Sequence, residues 1–276
     1  MNRDLRHLIA SGRTAEIYAW HEGQVLKLFY DWFKLENIEY EAQIAQAVHT
    51  SGLPVPAVGE IIRVNDRNGL VYQRVNGHSM WEMLRRKPWN GRRYARRMAE
   101  LHAEMHASTM QVPIPSQRQK LRKKIRHTKA LPDPLQSKTL AALETMPDGD
   151  QVCHGDFHPG NILMTPQGEI IIDWIDASRG NPLADLARTT VLALGAAATS
   201  QMQHPLLKAF MHLFHTAYIH HYFKRCPGGK EEYHRWLPIV AAARLSEEIP
   251  ALEKWLIAQA EKGLCIGQTR PTTACS

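Results

Sequence analysis

Apolar and polar residues alternate over Val25-Leu26-Lys27-Leu28-Phe29, a period of two that predicts a β-strand carrying one lysine. From about Lys34 to His49 the period becomes helical, with Ile38, Ala42, Ala45 and Val48 on one apolar side. Leu70-Val71-Tyr72 is a further apolar run. Trp89 to Ser108 reads as one long helix with Tyr94, Met98, Leu101 and Met105 along its apolar face, and Gln111 to Pro115 breaks it. Residues 116–149 form a polar insert with helical stretches and prolines at 132, 134 and 147. Leu183 to Ala198 is apolar and alanine-rich, which predicts a buried helix; Leu206–Phe223 and Glu232–Leu245 predict two more. Residues 264–276 are expected to be a loose tail, and no internal repeat is visible.

The middle of the chain changes rhythm again. Gln151-Val152-Cys153 is a short strand pattern, and Gly155 with Pro159-Gly160 then punctuates the chain, so Asp156 is expected on a tight loop. Ile162-Leu163-Met164 resumes a strand, Thr165-Pro166-Gln167-Gly168 makes a turn, and Glu169 to Ile172 returns. Such a hairpin brings Asn161 and Asp173 to the same end of neighbouring strands, with Asp156 on the loop leading in. Asp and Asn are ordinary turn residues when met singly. Together they are three oxygen-bearing side chains that suit a hard ion such as magnesium. They are also the polar set that phosphoryl transfer needs: one acid for the attacking hydroxyl, an amide and a second acid for the metal on the phosphates.

These residues resemble the aminoglycoside phosphotransferase and choline kinase-like family of small-molecule kinases. His154, Gly155, Asp156 and Asn161 match its catalytic-loop pattern, and Asp173 in Ile172-Asp173-Trp174 matches its magnesium-binding acid. Gly180 to Ala187 also matches, with Asp185 as a structural acid that braces the catalytic loop. Upstream, Lys27 matches the lysine that touches the nucleotide phosphates, and Glu41 the glutamate that pairs with it, although Glu39 is a near neighbour. Alone, Lys27 would read as an exposed strand lysine. Ser11 to Glu16 would be the nucleotide-covering turn, its only glycine being Gly12, and Gln73 to Gly77 the hinge, where backbone groups near Arg74 and Val75 meet the purine. The likeness runs from about residue 8 to about residue 190.

The resemblance implies an α+β, two-lobed protein-kinase-like fold with a small antiparallel-sheet lobe and a larger, mainly helical one. The expected division is a nucleotide-binding lobe at 1–76 and a helical lobe at 77–276 holding the catalytic loop and acceptor site. The implied activity is magnesium-dependent transfer of the ATP γ-phosphoryl group, with GTP also open, to a small-molecule hydroxyl. Two alternatives stay open: a Ser/Thr protein kinase on the same fold, and a silent nucleotide-binding pseudokinase. No GxxxxGK[ST] loop is present, which disfavours a P-loop enzyme.

Composition adds bounds. At 276 residues, with 44% hydrophobic and 22% charged residues, the chain has the make-up of an ordinary globular protein. No apolar run approaches a membrane span, and residues 1–6 lack a secretory signal's apolar core. Cys153, Cys226, Cys265 and Cys275 show no paired spacing and read as reduced thiols in the cytoplasm. The net charge of +7 comes from runs at Arg85–Lys87, Arg92–Arg97 and Arg118–Lys129. Without aromatic interleaving these predict solvated helix faces rather than nucleic-acid or membrane contact. A basic chain also counts mildly against a polycationic acceptor such as an aminoglycoside. His102 and His106 lie one helical turn apart, as zinc ligands often do, but no cysteine pair accompanies them. Glu247, Glu248 and Glu253 are either a local acidic wall or, the better reading, solvated helix charges.

Overall fold

The alternation at residues 25–29 is realised as the central strand of a sheet. The structure is a computed structural model, described for residues 7–108, 114–199 and 204–265. Five antiparallel strands come first: β1 (Leu8–Ser11), β2 (Ala15–Ala19), β3 (Gln24–Phe29), then, after helix α1 (Leu35–Thr50), β4 (Val58–Val64) and β5 (Arg67–Gln73). Their order is β1-β2-β3-β5-β4. Asn65 and Asp66, both at positive φ, form the two-residue turn between β4 and β5, the geometry that suits the strands' twist. Next come β6 (His78–Ser79), α2 (Met80–Arg86), α3 (Gly91–His106), α4 (Gln117–His127), α5 (Asp133–Glu144), β7 (Gln151–Cys153), β8 (Ile162–Thr165), β9 (Gly168–Ile171) and β10 (Ser178–Gly180). The chain ends in α6 (Pro182–Ala198), α7 (Pro205–Arg225), α8 (Lys230–Arg244) and α9 (Glu253–Cys265).

Two compact units result. One takes the chain as far as Asn90 together with Pro159–Ala177; the other takes Gly91 onward, Pro115–His158 and the chain from Ser178. In the first, one side of the sheet packs Trp20, Leu26, Leu28, Val64 and Val71, and the other packs Ala15, Phe29, Leu70 and Ile38 of α1. Because strand side chains alternate, Lys27 shares the α1-covered face with Phe29. β6, β8 and β9 form a separate three-stranded sheet in this unit. In the second unit β7 pairs with β10, and α3 packs on α7 while α6 packs on α8. The α3 residues Tyr94, Met98, Leu101 and Met105 are all buried, as their spacing requires.

Two helices, α2 and α9, escaped the reading of apolar periodicity. α2 is short and depends on a capping box between Ser79 and Glu82. The polar insert resolves into α4 and α5, and α9 extends to Cys265, so only residues from 266 onward of the expected tail lie outside the described ones. The expected break at 111–115 falls largely outside them too. No described helix is long and apolar enough to cross a membrane.

Gly77 precedes the strand that pairs with β8, and a Cβ there would sit 2.6 Å from the Met164 carbonyl oxygen. Because backbone cannot move aside as a flexible side chain can, Gly77→Ala should cost about 1–3 kcal/mol, read as a lower urea midpoint. An unchanged midpoint would mean the strand pairing is loose.

Candidate functional site

Lys27 lies partly buried on β3 between two carboxylates. Its Nζ donates to Glu41 Oε1 at 2.7 Å and to Asp173 Oδ1 at 3.2 Å. Tyr72 Oη donates to the same Glu41 oxygen at 2.9 Å. Glu41 is buried and Glu39 exposed, which separates the two candidates. Burial pulls the Lys27 ammonium down, but Asp173 and Glu41 outweigh it and leave its pKa raised, so the lysine stays charged. Burial first, then Glu41, pushes the Tyr72 hydroxyl well up, so it remains a donor.

The hairpin after Asn161 holds the other carboxylate. The Ile172 N–H donates to the Asn161 carbonyl at 3.0 Å, extending the β8–β9 ladder so that Asn161 and Asp173 flank its open end. Trp174 Nε1 donates to the Ile171 carbonyl at 3.0 Å and fixes the chain beyond. Asp173 itself takes φ +65°, a left-handed conformation uncommon for a residue with a side chain. Outliers of this kind gather at functional sites. The remaining nucleotide-side candidates lie in loops that flank strands of the five-stranded sheet. The Gly12 N–H closes the β1–β2 turn on the Ala15 carbonyl at 2.9 Å, and the Arg74 N–H is engaged by the Gly23 carbonyl at 2.8 Å. Val75 follows it, partly buried.

In the second unit, the loop after β7 carries Asp156. Gly155 takes φ +80°, which glycine permits without strain, and turns the chain there. The loop amides converge on one acid: the N–H groups of His154 and Gly155 donate to Asp185 Oδ2 and Oδ1 at 2.7 and 2.8 Å. Asp185 Oδ2 also meets His102 Nε2 at 3.1 Å and His106 Nε2 at 3.2 Å. Behind them, Tyr218 Oη contacts His102 Nδ1 at 2.5 Å and Tyr222 Oη contacts His106 Nδ1 at 2.7 Å. Burial would raise the Asp185 carboxyl, but the hydrogen bonds from His102 and His106 hold it well below the usual range. An ionised Asp185 only accepts, so both Nε2 atoms must bear hydrogen.

The His102 imidazole is pushed down to about 3, by burial first and then by His106 beside it, against the pull of Asp185. It is therefore neutral, and its Nδ1 accepts a hydrogen bond from the Tyr218 hydroxyl. The three residues do bring ligand-type atoms within 4.8 Å of one another. Hydrogen bonds nonetheless account for every one of those atoms, so the zinc-like spacing of the histidines has a structural explanation. The two tyrosines were not foreseen; they sit 116 residues from their partners.

Asp156 is partly buried, and its Oδ2 lies 3.6 Å from His158 Nε2. Burial alone would raise its pKa, but His158, Arg188 and His154 hold the carboxyl well below the usual range. The expectation of solvated charges fails for Glu247. It is largely buried and pairs with Arg188 and Arg244, because the short turn Leu245–Glu247 after α8 carries it against Arg188 of α6. Glu248 and Glu253 are exposed and line a cavity of about 350 Å³ with Leu256 and Thr128, whose buried hydroxyl has no hydrogen-bond partner. Much of the basic surface is paired: Arg96 and Arg97 with Glu100, Arg118 with Asp148, Arg122 with Glu144.

An antiparallel five-stranded sheet followed by a mainly helical region is the architecture of kinase-like phosphotransferases, and solved structures bear this out. A thermostable mutant of aminoglycoside phosphotransferase APH(4)-Ia, in a ternary complex with AMP-PNP and hygromycin B, is 13% identical with TM-score 0.64, covering 97% of this chain and 95% of that one. Aminoglycoside-3'-phosphotransferase of type VIII is 22% identical with TM-score 0.57, over 88% and 91%. A choline/ethanolamine kinase family protein from Mesorhizobium loti is 16% identical with TM-score 0.53, over 93% and 86%. These likenesses are of fold. The family model described as phosphotransferase enzyme family matches residues 8–225, and the chain belongs to that family. No curated protein matches it in sequence.

The buried histidine gives a pH dependence with a definite sign. Between about pH 6.5 and 3 the unfolded chain binds a proton that folded His102 refuses. Stability should therefore fall as pH drops through that window, by up to about 1.4 kcal/mol per pH unit, and Asp185 adds to the loss below its unfolded pKa near 4. Urea unfolding at several pH values should show the slope, and His102→Asn should flatten it. Equal slopes would place His102 outside the network.

Proposed function

We propose that this protein is an ATP-dependent kinase that transfers the γ-phosphoryl group to a hydroxyl of a small molecule. The observation that carries the reading is Lys27 held charged between buried Glu41 and Asp173, the strained residue at the open end of the β8–β9 hairpin. An ammonium fixed in this way is suited to orient nucleotide phosphates, and Glu41 with Tyr72 fixes its direction. Asn161 and Asp173 offer an amide and a carboxylate oxygen, hard donors that fit magnesium. When bound there, magnesium would neutralise charge on the phosphates. Gly12 in the β1–β2 turn and the backbone of Arg74 and Val75 would complete the nucleotide site. Since the Arg74 N–H is already engaged, contact at that residue would run through its carbonyl. The lobe of residues 1–76 would hold the nucleotide, and residues 77–276 the acceptor.

Asp156 would accept the hydrogen bond of the acceptor hydroxyl. A carboxylate held this acidic is a poor base, so its contribution is orientation of the nucleophile rather than early proton removal. Phosphoryl transfer through a loose transition state asks for little more. The AMP-PNP in the related complex supports an adenine nucleotide, and hygromycin B there supports a small-molecule acceptor. The free thiols Cys153 and Cys226 fit a cytoplasmic setting.

The test is a mass-spectrometric phosphorylation screen with ATP and magnesium across antibiotics, sugars, vitamins and amino alcohols. A product one phosphoryl group heavier is expected. Asp156→Asn should lower its rate by about 100- to 10,000-fold while nucleotide binding survives. Asp173→Asn should instead lower turnover and raise the magnesium requirement together. Normal turnover by Asp156→Asn would remove Asp156 from its role.

A further inference from the structure

The loop that carries Asp156 is gripped from one helix by groups of opposite character. Asp185 and Arg188 lie three apart on α6 and so share a face. The acid takes the N–H groups of His154 and Gly155, while Arg188 Nε donates to the Gly155 carbonyl at 2.9 Å. Thr189, next on the helix, donates its hydroxyl to the Phe157 carbonyl at 2.9 Å. The backbone on both sides of Asp156 is thus anchored to α6.

The far end of Arg188 is anchored in turn. Its Nη2 pairs with Glu247, whose other oxygen accepts from Arg244 Nε at 3.4 Å. Arg244 Nη1 then donates to the Val191 carbonyl at 2.7 Å, which closes a ring of contacts back onto α6. All three side chains are largely buried. A guanidinium has several donors in a rigid plane and can bind a carbonyl and a carboxylate in two directions at once; an ammonium lacks that fixed geometry.

We infer that Arg188 is a positioning residue for Asp156: held by Glu247, it clamps the Gly155 carbonyl and fixes the peptide from which Asp156 projects. Its consequence for turnover rests on the kinase reading above; the clamp itself does not. The nearby positive charge of Arg188 also favours the ionised form of Asp156.

Arg188→Gln, Arg188→Lys and Glu247→Gln separate geometry from charge. Hydrogen exchange at residues 154–157, followed by mass spectrometry in the full chain without ligand, should quicken about tenfold in Arg188→Gln and Glu247→Gln. With the acceptor identified in the screen, Arg188→Gln should lower kcat about 10- to 100-fold and leave KM for ATP within about twofold. The acid limb of its pH profile should move to higher pH. Arg188→Lys, which keeps the charge, should keep the acid limb in place without restoring kcat or exchange protection. Unchanged exchange in both Arg188→Gln and Glu247→Gln would overturn the clamp, as would full restoration by lysine. If Arg188→Gln does not fold, Glu247→Gln decides. If the wild type phosphorylates nothing, the kinase reading fails and the exchange result still decides the clamp.

Discussion

The Asp185 carboxylate sits out of solvent with two backbone N–H groups and two imidazoles turned toward it. Removing a charge from water costs several kcal/mol, and a buried one persists only where donors replace its hydration. Here the donors come from the loop before Asp156 and from α3, and tyrosines of α7 support the imidazoles from behind. The electrostatic demand of one acid therefore ties together the loop that carries Asp156 and three helices. Phe157 adds to the same assembly by stacking on His102 with ring centroids 4.1 Å apart. Loss of the carboxylate would leave four donors facing a dry interior, each a costly group to leave unpaired.

The first unit applies related physics with a different outcome. Glu41 is buried and anchored by Lys27 and Tyr72, whereas the Asp173 side chain is 40% exposed and sits on a strained backbone. One partner of the lysine is thus fixed and the other accessible. That asymmetry is what a site needs if it is to hold a cation steady and still admit an anionic ligand. The same principle recurs at Arg188, where Glu247 fixes one side of the guanidinium and the loop carbonyl occupies the other.

Much of this was legible along the chain because it is local. The β8–β9 hairpin, the turn at Pro166-Gln167 and the placement of Asn161 opposite residue 172 follow from alternation and turn chemistry over some twenty residues. The strand that carries Lys27 and the helix that carries Glu41 follow from their periods. Apart from the Lys27–Glu41 pair and the Asp185 brace of the loop, which the family resemblance implied, pairings between distant segments were not legible. Periodicity marks His102 and His106 as one helix face, but their partner Asp185 and the hydroxyls of Tyr218 and Tyr222 come from α6 and α7. Glu247 looked like a surface charge because nothing near it in sequence announces Arg188, 59 residues earlier. α9 was missed because its charged and apolar residues lack a strong stripe, and packing against α8 supplies the stability that pattern does not.

Calorimetric titration of ATP, with and without magnesium, into the wild type and Lys27→Ala tests the central claim most directly, because it needs no knowledge of the acceptor. The account predicts magnesium-dependent binding to the wild type, weakened about tenfold or more when the lysine is removed, the scale of one charge-assisted contact to phosphate. Equal affinity in the two proteins, or no ATP binding by the wild type, would contradict it.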